Sequence, residues 1–431
     1  MNSLVLLMAV FFGLIFLRVE IAFSLAIASI VVILREGLPL GSVLNQMYSG
    51  IDSFPLLAVP FFMLLGRVLN QGGITERLLA VADAAVGHVR GGLGHVNVLV
   101  SMIFASLSGS AAADTASVGS ILIPAMKKAG YQPAFTVAIT AASSTLGVII
   151  PPSIILVIYG AFANVSIGAL LWGGVVPGIV IGLGMMAYNY VLARIHDYPA
   201  NPRKSARELA SSVWHGSLTL MIPVIVLGGI TGGVFTATEA SIMAVAWAMV
   251  LAFVIYRECS LREMPKMLGE AAIDFAVPLF TVAAASVFGW LISYLGAADM
   301  VIKTILDITT DPLGIMLLLI LFLLIIGTFL NPISALLIFL PIIQGLGGHA
   351  HVNPVHLGLV TTMTLSIGLV TPPYGVCLLV AAQIGNVSLM RATAAVLPIC
   401  LITVLIIIST LFVPDLVLGL PKLVIPQAFA Q

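Results

Sequence analysis

Apolar runs of helical length dominate the chain, and the charged residues fall between them. Two stretches, Lys128 to Arg194 and Asp311 to Arg391, hold no Asp, Glu, Lys or Arg between their ends. Membrane strands alternate apolar and polar positions, and these runs do not, so spanning helices are predicted and a β-barrel is excluded. The same device interrupts both stretches. Thr145–Ser153 reads TLGVIIPPS and Ser366–Tyr374 reads SIGLVTPPY, each with a Gly followed four residues later by a Pro pair. A Pro pair removes two amide donors and obstructs the preceding turn. At membrane depth the freed carbonyls need protein or a cavity to satisfy them. Helices broken this way in two halves of one chain point to a transporter's binding site.

Two further patterns predict hairpins. Between Arg90 and Lys127 lie Leu93–Ala105 and Thr115–Met126, each too short to cross a hydrocarbon core of about 30 Å, separated by SLSGSAAAD at Ser106–Asp114. The second half has Leu313–Ile326, a break at Gly327–Pro332, then Ser334–Ile343. These read as re-entrant hairpins. Collinear matches support an internal repeat: Ala58–Phe62 with Ala276–Phe280, Asp114 and Pro124 with Asn331 and Pro341, Gly147 with Gly368, and Asn164-Val165-Ser166 with Asn386-Val387-Ser388. All are offset by about 220 residues. The most basic loop, Arg194–Arg207, carries Arg194, Arg203, Lys204 and Arg207 and is predicted to be cytoplasmic. Spans near Val213–Ile230 and Thr236–Tyr256 return the chain to basic Arg257, Arg262 and Lys266. The first hairpin is flanked by Arg77, Arg90, Lys127 and Lys128 and is expected to enter from the cytoplasm. The second lacks flanking Lys or Arg and is expected to enter from outside, which makes the repeats inverted.

Composition agrees. The 431 residues are 61% hydrophobic and 8% charged, with mean hydropathy +1.20, where a soluble domain carries about a quarter charged residues. Net charge is zero, so no nucleic-acid partner is implied. Cys259, Cys377 and Cys400 are scattered and read as packing residues, not a metal site. Met1–Leu17 lacks a basic n-region and a cleavage site, and is read as a retained first helix. Ile74–Val86 and Leu261–Glu270 are amphipathic enough to lie at the interface. His349, His351 and His356 read as solvated loop residues. Glu239, three residues after Thr236, reads as a capping box.

The hairpin tips and helix breaks are predicted to converge near the midplane. Broken helix ends offer carbonyls to a cation and amides to an anion. Gly109 and Gly327 permit close approach, while Ser106, Ser108, Ser110, Thr328 and Asn331 add oxygens. Gly147, Ile150 and Ser153 face the first tip, and Gly368, Thr371 and Tyr374 are their repeat partners. Na⁺ is the expected coupling ion, because neutral carbonyls and hydroxyls supply its shell without a fixed charge. Its candidates are Ser106, Ser108, Gly109, Gly147, Ile150, Ser153, Gly327, Gly368, Thr371 and Tyr374. Candidates for the substrate are Ser108, Ser110, Asp114, Thr328, Asn331, Pro152 and Pro372. Asp114 is expected at membrane depth, where carboxylates are costly; it has two readings, a cap for the second hairpin arm or a direct ligand. No other cofactor is expected. An intramembrane protease would need a second Asp or a Ser–His pair, which neither Asp114 nor Ser108 finds in sequence.

Phe54–Gly66 (FPLLAVPFFMLLG), Gly91–Tyr131 with its SGS…AD…GS…IPAMKK pattern, Thr140–Ser153 and Thr371–Gly375 (TPPYG) carry a specific likeness. Over nearly the whole chain the sequence resembles the large membrane subunit of tripartite ATP-independent periplasmic (TRAP) transporters. That resemblance implies membership of the ion-transporter superfamily: an all-α polytopic membrane protein of two inverted repeats, each with a re-entrant hairpin and a broken helix, working as an elevator. It implies Na⁺-coupled import of small organic acids such as C4-dicarboxylates, 2-oxo acids or sialic acid, in a bacterial or archaeal cell membrane. It also implies two partners, a small four-helix membrane subunit and a soluble extracytoplasmic binding protein. A superfamily transporter working without a binding protein is the alternative. Departures from the family pattern are Arg18-Val19-Glu20 in the first span, Val148 for a common Pro, Ala237 in a motif usually written TPTEA, and Asn331 where Asp is frequent. Domains are expected at 1–90 (scaffold and interfacial arm), 91–195 (hairpin 91–128, broken helix 131–165), 196–311 (basic loop and central scaffold), 312–413 (hairpin 312–345, broken helix 355–386) and 414–431 (tail).

Overall fold

The computed structural model describes residues 2–429, apart from the side chains of Ser108, Ala206, Leu209 and His215. Every regular element among the described residues is helical. Seven helices are long and apolar enough to cross a membrane, from Phe54–Gln71 to Leu389–Phe412. Ser3–Phe16 and Ile21–Arg35 fold back on each other through a turn with Arg18 in the left-handed region. The axle of the outer layer is Met264–Tyr294, 31 residues and so about 46 Å long. It packs against Ile21–Arg35, Gly41–Ile51 and Ala58–Gln71, and also against the second hairpin's arm Pro332–His349.

The two halves share one register. Pro133 and Pro354 open equivalent helices (354 − 133 = 221). The same spacing relates the two Pro-Pro pairs, both cis, and the hairpin caps Ser110 and Asn331. This corrects the sequence alignment, which paired Asp114 with Asn331. The uninterrupted 18-residue arms Ala111–Lys128 and Pro332–His349 leave no room for a four-residue slip. Asp114 therefore corresponds to Ala335 and has no polar counterpart. The interfacial expectation shifts too. Ile74–Val86 matches Ala297–Ile308, each preceded by a left-handed Gly, whereas 264–270 is simply the start of the axle helix.

Both hairpins are helix–turn–helix units: Gly92–Ser108 with Ala111–Lys128, and Pro312–Phe329 with Pro332–His349. Their arms have 17 or 18 residues, about 27 Å each, so they are longer than the apolar pieces suggested. Both arms of the second hairpin are long and apolar enough to cross a membrane, and each tip ends against the interrupted middle of a broken helix. The first broken helix is Pro133–Ser144, a 3-10 turn Thr145–Val148, then Ile154–Ala163. The second is Pro354–Ile367, Gly368–Val370, then Val376–Gly385. Each second hairpin arm packs on the first half of its own broken helix and on the second half of the other one. The repeats thus interlock. Lys127 Nζ fastens the crossing by donating to the Gly385 carbonyl at 2.8 Å.

The loop between the halves is pinned down. Gly91 and Gly92 donate to the Pro199 carbonyl, and Asn201 N–H donates to the Gly87 carbonyl at 2.9 Å. Asn201 Nδ2 and Lys204 Nζ both reach Asp83. Helix Ala206–Thr231 starts in a Ser205/Glu208 capping box, and Ala237–Met249 in the expected Thr236/Glu239 box. His356 corrects its expectation: it is buried in Pro354–Ile367 with Nε2 3.4 Å from Thr410 Oγ1, not in the loop.

Candidate transport site

Backbone meets backbone at both tips. Gly109 ends the first arm with φ +63°, and a Cβ there would lie 2.8 Å from the Pro152 carbonyl oxygen. Across the same contact, a Cβ on Gly147 would meet the Ala111 amide nitrogen at 3.3 Å. At the second tip a Cβ on Gly368 would collide with the Gly327 carbonyl. There the break is also hydrogen-bonded to the tip, since Tyr374 N–H donates to the Thr328 carbonyl at 2.8 Å. The Tyr374 hydroxyl lies beside the Asn331 side chain.

The side chains have more local tasks. Ser153 is buried; its Oγ donates to the Val148 carbonyl at 2.6 Å and accepts from Leu156 N–H at 3.3 Å. It spans the break and caps the helix after it. Thr371 Oγ1 donates to the Ile367 carbonyl, Thr328 Oγ1 to Ile325, and Ser106 Oγ to Ile103 at 2.6 Å. Each hydroxyl keeps acceptor lone pairs. Ile150 turns its side chain towards Gly178, where a Cβ would strike it. Asn331 caps its helix by accepting from Ile333 N–H. Pro372 sits half-buried in the second break. The Ser108 side chain lies outside the described residues. The backbone contacts thus bring Gly109, Gly147 and Pro152 together in the first half, and Gly327, Thr328, Gly368 and Tyr374 in the second. The first break is buried throughout, whereas Thr371–Tyr374 are partly open.

Asp114 has one of its readings removed. The N-cap of Ala111–Lys128 is Ser110, whose Oγ accepts from Ala113 N–H at 3.4 Å. Asp114 sits in the first turn, 0% exposed, with the Ser101 and Ser144 hydroxyls as its polar neighbours and neither oxygen in close hydrogen-bond geometry. Cys377 of the other repeat packs beside it and Thr115. The first-turn amides favour a negative charge at that place.

Sequence reasoning missed the polar seam behind Asp114. Asn97 Nδ2 donates to Thr140 Oγ1 at 2.6 Å, Ser143 Oγ to Asn97 Oδ1, and Ser101 Oγ lies 3.0 Å from Ser143 Oγ. The signal was a spacing: Asn97 and Ser101 are four apart, and Thr140, Ser143 and Ser144 share a face. Also missed was Arg67, which pairs with Glu270 and Asp274.

Residues 8–416 match the family described as "Tripartite ATP-independent periplasmic transporter, DctM component". The chain belongs to this family. As a DctM component it is a permease subunit of a transporter, not an enzyme, and a multi-pass bacterial inner-membrane protein. It is 36% identical to the sialic acid TRAP transporter large permease protein SiaM of Vibrio cholerae, covering 95% of this chain and 96% of that one. It is 37% identical to the C4-dicarboxylate TRAP transporter large permease protein DctM of Pseudomonas aeruginosa, over 88% of each chain. The 2,3-diketo-L-gulonate TRAP transporter large permease protein YiaN of Escherichia coli is 35% identical over 87% of this chain and 88% of that one. Among solved structures, MtrF of Neisseria gonorrhoeae, described within a class of antimetabolite efflux pumps, matches with a TM-score of 0.57. It covers 86% of this chain and 82% of that one at 14% identity, a likeness of fold.

Proposed function

We propose that this DctM component imports a small organic acid, driven by a Na⁺ gradient, with the acid delivered by an extracytoplasmic binding protein and with a small four-helix membrane subunit completing the scaffold. The observation that carries this reading is the doubled contact in which a hairpin tip touches the break of a discontinuous helix. Such breaks place carbonyls and helix ends at one point. One Na⁺ lies among Ser106, Ser108, Gly109, Gly147, Ile150 and Ser153, the other among Gly327, Gly368, Thr371 and Tyr374. The acid's carboxylate meets the tip amides with Ser108, Ser110, Asp114, Thr328, Asn331, Pro152 and Pro372. The organic-acid class rests on the relatives' named substrates, sialic acid, C4-dicarboxylate and 2,3-diketo-L-gulonate. The residues 91–195 and 312–413 form the moving unit, related by inverted topology, and slide as an elevator against 1–90 and 196–311. Their interlocked packing supports motion as one body.

The test is uptake of radiolabelled N-acetylneuraminate, succinate and 2-oxo acids into liposomes holding the chain with its small subunit and binding protein. Uptake only with an inward Na⁺ gradient and binding protein is expected. Uptake without the binding protein would favour a stand-alone transporter. Uptake indifferent to Na⁺ would overturn the cation assignment. Proton coupling is the second reading, favoured by the fully buried carboxylate of Asp114, which has no ion-pair partner among the described residues; under it, Asp114→Asn abolishes pH-driven uptake.

A further inference from the structure

A cavity of about 460 Å³ separates the first hairpin tip from the outer layer. One wall is a single face of the helix Ala58–Gln71, with Met63, Gly66, Arg67 and Asn70 at helical spacing. The opposite wall is the tip itself, Ser110 and Ala113, and Asp274 stands at the rim. Arg67 is the one cation lining this cavity among the described residues. An Arg in an apolar spanning helix is costly and needs a reason.

Its present partners are Glu270 and Asp274, one on each terminal nitrogen. Glu270 also lies 3.9 Å from Lys266, so the cluster balances two cations with two carboxylates. Glu270 keeps a partner if Arg67 turns away, and Asp274, 47% exposed, returns to water. A guanidinium has five N–H donors in a planar fork suited to a carboxylate. Facing it, the first-turn amides of Ala111–Lys128 present the positive end of a helix. The Asn70 amide oxygen is buried with no partner among the described residues, and its amide can turn to offer NH₂ instead.

We propose that Arg67 is the scaffold's docking residue for the carboxylate of the transported acid, exchanging Asp274 for the substrate as the first hairpin tip comes opposite. This rests on the organic-acid reading above. Because Arg67 stands on a helix outside the hairpin bundle, it meets the substrate at one end of the stroke and not at the other.

Two measurements test it. In a Cys259→Ser background, which leaves the buried Cys377 and Cys400, Asn70→Cys is labelled with methanethiosulfonates bearing a sulfonate or a trimethylammonium group. Because Arg67 and Asp274 both line the cavity, the reference is the sulfonate-to-trimethylammonium rate ratio, each rate divided by that with free cysteine, and Glu270→Gln/Asp274→Asn, which leaves Arg67 uncompensated, should raise it about tenfold. Arg67→Gln should lower that ratio, and adding Arg67→Gln to the double carboxylate variant should cancel its gain. In the complete transporter, Arg67→Gln should raise the KM for the transported acid about tenfold with the maximal rate little changed, and Arg67→Lys should recover part of it. No gain in the double carboxylate variant, or an unchanged KM in Arg67→Gln, would overturn the proposal. If Arg67→Gln does not fold, the double carboxylate variant decides: no gain in preference overturns it. A gain in the double carboxylate variant, with no uptake of any of the acids by the otherwise unaltered transporter, would leave the anion-binding cavity standing and sink the organic-acid reading.

Discussion

Single atoms decide whether the tips close. Gly109 has a left-handed backbone and a neighbour's carbonyl where a Cβ would go. Gly109→Ala should cost about 1–2 kcal/mol from backbone strain and abolish uptake. Gly109→Asn, which tolerates that backbone better, should lose less stability in a thermal melt and still transport poorly. Gly368→Ala meets no such strain, yet its Cβ would fall closer still to a carbonyl oxygen, that of Gly327, so it should lose uptake with a change in stability at least as large as that of Gly109→Ala. Ser153→Ala removes a bond to Val148 and a cap on Leu156 N–H, at a cost of about 1–2 kcal/mol; a melting curve of purified protein checks it. These glycines and the Pro pairs were legible in the sequence because backbone devices leave few alternatives. Side-chain roles were less so. Asp114 looked like a cap because it preceded an apolar run, but the helix begins at Ser110, four residues earlier.

At the scale of elements, the broken helices and hairpins could be read from apolar length and its interruptions. Their ends could not, since Asn97 and Ser101, the polar residues that join the first arm to the broken helix through Thr140 and Ser143, lie inside the helix. The pairing of elements was hidden too, because a helix does not announce which neighbour it meets 258 residues away in sequence. Lys127→Met tests the crossing: losing the charge-assisted bond to Gly385 should destabilise by about 1 kcal/mol and loosen amide protection around Gly385. Helix Ala206–Thr231 carries its own pH response. Hydrogen bonds from the Ser205 amide and hydroxyl hold the Glu208 carboxyl below the usual range. A lowered native value adds stability above the unfolded value, lost as pH falls through the native one. The protection factors of the Ser205 and Glu208 amides, corrected for intrinsic exchange rate, should therefore fall on acidification, and Glu208→Gln should remove that dependence.

For the whole molecule, the two-half plan was visible in sequence, but its register was not. The apolar background let a Pro match pull the second hairpin four residues out of place, which the two equal arms correct. The interlock also has a consequence for how the chain is made. Asp114 emerges from the ribosome long before Cys377, the residue that covers it. At about 5–20 residues per second, that wait is on the order of tens of seconds. Through that interval a nascent chain would hold an acidic group in the bilayer with its lid still unsynthesised. The membrane-insertion machinery, or the aqueous edge near the hairpin's base, must shelter the first half until the last quarter of the protein arrives.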